Sequence, residues 1–83
     1  MSKQLKHRIV MQPGILGGKP VIRGTRISVE HLLGVLSSGM SQDDVLADYP
    51  HLSREDLLAA LHYAENLVRH DEVLFPSQLA STK

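Results

Sequence analysis

The hydrophobic positions of this chain fall into two regimes that meet near residue 28. Upstream they form short β-branched pieces, Arg8-Ile9-Val10-Met11 and Val21-Ile22, set off by the turn-forming clusters Gln12-Pro13-Gly14 and Gly17-Gly18-Lys19-Pro20. Such pieces predict two short strands that pair as a ribbon, with Arg23-Gly24-Thr25-Arg26 as a further turn. Two strands alone are marginal in water, so the ribbon must pack on something else.

Downstream the spacing becomes helical. Ser28 is a good N-cap for a helix from Val29, with Glu30 in the first turn and a stripe of Val29, Leu32, Leu33 and Leu36 that stops at Ser37-Ser38-Gly39. Ser41 caps a second helix with Asp44 at the capping-box position, and Val45, Leu46 and Tyr49 line one side until Pro50 ends it. Ser53 caps a third and longest helix, with Asp56 three residues on and a stripe of Leu57, Leu61, Ala64 and Leu67-Val68 running to about His70. The pattern divides the chain into a flexible N-terminus (1–8), a single trihelical domain with an N-terminal β arm (9–70) and a C-terminal tail (71–83). The fold class expected is mainly α: a three-helix bundle behind a short N-terminal β-ribbon. The Tyr49–Ser53 connection approximates a helix-turn-helix, although that turn usually takes 3–4 residues and often holds a glycine.

Composition adds one strong feature. The formal net charge of zero conceals an asymmetry: residues 1–26 hold six basic and no acidic side chains, while residues 27–83 hold three basic and all nine acidic ones. Asymmetry of this kind hints at an interaction surface. Lys19, Arg23 and Arg26 stand close together, with glycines that let backbone amides approach an anion. Arginines in that setting contact phosphates and read guanine edges, and homeodomains send an arginine-bearing N-terminal arm into the minor groove. Two other readings stay open for the segment: pairing of Arg23 and Arg26 with the acidic helices of the same chain or of a dimer mate, and binding of a small anion. The start of the third helix, Arg54-Glu55-Asp56, argues against simple DNA recognition, because two carboxylates against phosphates cost affinity. Arg54 alone remains suited to a base edge.

Catalysis finds little support. The five histidines form no i, i+4 pair, and His62 and His70 stand about 12 Å apart by helical rise. Asp43-Asp44 and Glu55-Asp56 occupy helical first turns, where capping accounts for them. No phosphate-binding loop, nucleophile elbow or dinucleotide fingerprint occurs. The expectation is therefore a protein that is not an enzyme, with no cofactor and no metal. Cysteine is absent, which fits a reducing cytosol, and Met1–Arg8 lacks the apolar stretch of a secretory signal. No apolar run approaches the roughly 20 residues of a membrane span. With 42% hydrophobic residues and three aromatics, the core is lean, and a homodimer is expected.

The string Gly18-Lys19-Pro20-Val21-Ile22-Arg23-Gly24-Thr25-Arg26-Ile27, followed by Gly39, Tyr49-Pro50 and Ala59-Ala60-Leu61-x-Tyr63-Ala64, resembles the bacterial domain of unknown function 433 family from about Ile9 to Ala64. The resemblance implies a homeodomain-like trihelical fold with a short β-element in front. It also implies kinship with antitoxins encoded beside PIN-like nucleases, and hence a cytoplasmic regulator. On this footing the candidate DNA-binding residues are Lys19, Arg23, Thr25, Arg26 and Arg54. In the tail, Asp71, Glu72, Leu74 and Phe75 are candidates for docking on a basic nuclease; packing of Leu74 and Phe75 onto the third helix or a dimer mate is the other reading. Two functions follow as expectations: a DNA-binding antitoxin, or an interaction module that neutralises a PIN-like nuclease without touching DNA.

Overall fold

The computed structural model describes Leu5 and residues 7–70. Strand β1 (Ile9–Val10) pairs antiparallel with β2 (Val21–Ile22), in a register that sets Ile9 opposite Ile22 and Val10 opposite Val21. The ladder is shorter than the four-residue apolar piece at its start, because Met11 already stands in solvent beside the Pro13-Gly14 turn. A single 3₁₀ turn, Leu16–Gly18, lies in the connection between the strands. Both residues of β2 are fully buried, and a further antiparallel bridge joins Val21 to Ser28. β2 is thus the middle of the arm, and it delivers the chain into the first helix.

Three helices follow: α1 (Val29–Ser37), α2 (Gln42–Asp48) and α3 (Arg54–His70). Their caps are those the sequence predicts. The Ser28 hydroxyl accepts from the His31 N–H at 2.9 Å, and the Ser41 hydroxyl accepts from the Asp44 N–H at 3.0 Å. At α3 the capping box closes in both directions. The Ser53 hydroxyl accepts from the Asp56 N–H at 3.3 Å, and Asp56 Oδ2 accepts from the Ser53 N–H at 3.0 Å. Gly39 terminates α1 with φ +105°, a backbone state that side-chain-bearing residues avoid. Pro50 follows α2, whose last helical residue is Asp48.

One core joins these parts. Ile22 from the arm meets Val29 and Leu32 of α1, Val45 of α2, Leu52 of the connection, and Leu57 and Ala60 of α3. The ribbon therefore does pack on the helices, as its small size requires.

The long α3 stripe departs from expectation. Leu57 is buried, but Leu61, Leu67 and Val68 are 38%, 50% and 68% exposed, and the core-facing side of α3 is instead Asp56, Leu57, Ala59 and Ala60. Leu61, in mid-helix, lies off the side that Ala59, Ala60 and Tyr63 turn to the core, and length explains Leu67 and Val68. Seventeen helical residues extend about 25 Å, against about 13 Å for the nine of α1, so the last turns of α3 outrun the elements able to cover them.

Candidate nucleic-acid interface

The antiparallel register brings the two basic parts of the arm to one end. Arg8 precedes Ile9 and Arg23 follows Ile22, so the pairing of those isoleucines makes the two arginines neighbours; the Arg23 N–H donates to the Arg8 carbonyl at 2.7 Å. The Arg23 guanidinium also donates through Nε to the His7 carbonyl at 2.6 Å, which directs an exposed side chain along the edge of the ribbon. Between Arg23 and Arg26 the chain turns tightly. Gly24 takes φ +82°, and the Ile22 N–H donates to the Ile27 carbonyl at 2.9 Å. Thr25 holds this tip from within: its hydroxyl donates to the Ile22 carbonyl at 2.8 Å and accepts from the Ile27 N–H at 2.9 Å. Arg26 is exposed on the same tip.

This end of the arm sits on the start of α3. Arg8 Nη1 lies 3.0 Å from Asp56 Oδ1 and 3.4 Å from the Ser53 hydroxyl. Asp56 is buried, and its two oxygens are engaged by Arg8 and by the Ser53 N–H. Its charge is thus compensated inside the molecule, which leaves Glu55 as the exposed carboxylate of the α3 first turn. The objection raised by two acidic residues at that helix start is halved.

The other expected contact residues are placed differently. Arg54 is exposed at the start of α3 but reaches back to α2, where Nη1 donates to Gln42 Oε1 at 2.8 Å and Nη2 pairs with Asp43. Lys19 stands apart from the arginines. It pairs with Glu30 at 3.0 Å and, with Pro20, rims an apolar cleft between α1 and the far half of α3 that Leu33, Tyr63 and Leu67 line. The structure therefore sets Arg8, Arg23, Thr25 and Arg26 at one end of the arm, with Arg8 seated on the α3 start, while the Arg54 side chain turns to α2 and Lys19 lies against α1. Asp71, Glu72, Leu74 and Phe75 lie outside the described residues.

Arg8 was absent from the expected site because its partner is remote in sequence. Only the ribbon register, which sets Ile9 beside Ile22, hints that it stands with Arg23. Among the described residues no three His, Cys, Asp or Glu side chains group as metal ligands, and no helix is long and apolar enough to cross a membrane. Two histidines have local partners: His31 Nε2 lies 2.8 Å from the Tyr49 hydroxyl with the rings edge to face, and His62 lies beside Glu65 and Asn66.

A two-stranded antiparallel hairpin leaning on three helices, with arginines gathered at the hairpin end, defines a small, mainly helical protein class. The chain belongs to the family described as "Protein of unknown function (DUF433)", which matches residues 9–64. Its structure is similar to the crystal structure of a DUF433 member protein from Anabaena variabilis, with a TM-score of 0.70 and 42% identity over 78% of this chain and 64% of that one. In sequence it is 39% identical over 57 residues to the uncharacterized protein y4eO of Sinorhizobium fredii, a match that covers 69% of this chain and 26% of y4eO. The chain thus spans about a quarter of y4eO and just under two thirds of the solved relative.

Proposed function

We propose that this protein is a non-enzymatic DNA-binding regulator of the antitoxin type, in which α2 and α3 act as a homeodomain-like helix-turn-helix and the basic arm supplies most of the attraction. The observation that carries the reading is the exposure of Arg23 and Arg26 together at the arm end that Arg8, paired with Asp56, seats on the start of the longest helix. Arg23 and Arg26 would neutralise phosphates, Thr25 would hold the tip in shape, and Arg54 would exchange its exposed contacts with Gln42 and Asp43 for a base edge or a phosphate. That exchange is cheap, because solvent-exposed ion pairs contribute about 0–1 kcal/mol. Capture of Asp56 by Arg8 supports the same reading, since it removes one carboxylate from the face that would meet the duplex. The antitoxin role, and a PIN-like nuclease as its partner, follow from the family resemblance.

The test is fluorescence anisotropy on duplex DNA from upstream of the protein's own gene, titrated with salt beside a scrambled duplex. The expected result is tighter binding to the cognate duplex with a steep salt slope, which Arg23→Ala and Arg26→Ala each reduce by about 1. Absence of binding at low salt, or binding indifferent to salt, would overturn the reading and favour a module that acts on a nuclease alone.

A further inference from the structure

Val21 and Ile22 of β2 are both buried, so the ribbon has no free face to lay in a groove of DNA. The arm's contact is left to the loop Arg23-Gly24-Thr25-Arg26, closed at its base where the Ile22 N–H donates to the Ile27 carbonyl at 2.9 Å. Arginines hold the first and last positions of this loop. Both are exposed, and among the described residues neither pairs with a carboxylate. The apex between them is bare. Gly24 has open space about it, and the Thr25 hydroxyl already donates to and accepts from the loop's own backbone.

We propose that this loop enters the minor groove of A·T-rich duplex DNA, with the Arg23 and Arg26 guanidinium groups on base edges at the groove floor. The inference rests on the DNA-binding reading above and adds to it the groove and the base composition. Thickness favours that groove. An α-helix with its side chains is about 10–12 Å across and suits a major groove about 12 Å wide, whereas the minor groove, about 6 Å wide, admits only a bare turn with extended side chains.

The loop's chemistry selects the bases. A guanidinium only donates hydrogen bonds. Adenine N3 and thymine O2 offer it acceptors in the minor groove, while guanine adds an N2 amine that is itself a donor. A narrow A·T groove also concentrates negative potential, which draws arginine. The loop holds no Asn, Gln, Asp or Glu, the side chains that read adenine or cytosine in the major groove. Arg23 is aimed beforehand, since its Nε is held by the His7 carbonyl at 2.6 Å. Duplex is favoured over single strands because no Phe, Tyr or Trp precedes Tyr49, so the arm has no platform for stacking bases.

Inosine separates the two grooves. An I·C pair lacks the guanine amine, so its minor groove presents the acceptors of A·T while its major groove keeps those of G·C. Fluorescence anisotropy of the full chain would compare three duplexes of equal length and identical flanks, with A·T, I·C or G·C pairs at the centre. The A·T and I·C duplexes should bind alike, and at least about fivefold more tightly than G·C. The double variant Arg23→Lys, Arg26→Lys should keep the salt slope and lose that preference, because the charges stay while the weakly hydrated planar groups go. Both positions are exposed, and circular dichroism checks that the variant keeps its helices. An I·C duplex bound like G·C would place the loop in the major groove, and salt-dependent binding equal on all three would confine it to phosphates. A preference that survives in the double variant would assign it to other residues. Each of these results overturns the minor-groove inference and leaves the regulator reading standing, whereas no binding to any of the duplexes at low salt removes both.

Discussion

Arg8 and Asp56, 48 residues apart in the chain, meet in a 3.0 Å ion pair that joins the start of the β arm to the first turn of the longest helix. Asp56 serves two masters there, since its other oxygen closes the α3 capping box on the Ser53 N–H. One carboxylate thus sets both where α3 begins and how the basic end of the arm sits upon it.

Removing the acceptor should therefore cost more than removing the donor. Asp56→Ala loses the cap and strands a partly buried guanidinium, a loss of about 2–3 kcal/mol. Arg8→Ala should cost about 1–2 kcal/mol, because the buried Asp56 carboxylate loses its counter-charge but keeps the cap and its Ser53 N–H, and water screens part of the pair. Urea denaturation of the two single variants and the double variant checks both figures, and a coupling energy near zero would show that the pair does not act as a unit.

Adjacent leucines on α3 should behave as opposites. Leu57 is fully buried against Ile22, Leu32 and Val45, so Leu57→Ala leaves a cavity and should cost about 2–5 kcal/mol. Leu58, one residue on, faces solvent, and Leu58→Ala should stay within about 0.5 kcal/mol in the same denaturation assay. Equal losses would mean that the helix is rotated from the orientation described.

Two glycines make a second contrast. Gly34 lies inside α1 with open space where a Cβ would stand, and Gly34→Ala should raise stability by about 0.5–1 kcal/mol through helix propensity. Gly39 has the same open surroundings but φ +105°, so Gly39→Ala meets backbone strain and should cost about 1–2 kcal/mol. Thermal unfolding should move in opposite directions for the two.

DNA affinity, if the arm carries it, should separate Arg23 from Lys19. Lys19 pairs with Glu30 at the rim of the α1–α3 cleft, away from the arginine end, so Lys19→Ala should change the salt slope far less than Arg23→Ala, whose expected reduction is about 1. Anisotropy titrations at several salt concentrations decide it; equal reductions would move the contact surface toward the cleft.

Local chemistry made much of this protein legible along the chain. Ser28, Ser41 and Ser53 mark the starts of α1, α2 and α3 because a cap acts within three residues of itself. Gly39 and Pro50 mark stops for the same local reason, and β-branched pairs between turn clusters announced the hairpin. What spacing could not supply were relations between distant segments. The stripe Leu57, Leu61, Ala64, Leu67-Val68 is continuous in sequence, yet burial requires a facing element, and α1 and α2 are too short to cover the end of α3. Lys19, Arg23 and Arg26 are neighbours in the chain, yet the path of the arm sends the lysine to Glu30 of α1 while Arg23 turns back to the His7 carbonyl. Arg8 joined them only through strand register and a carboxylate 48 positions away, since ion pairing depends on separation in space rather than along the backbone.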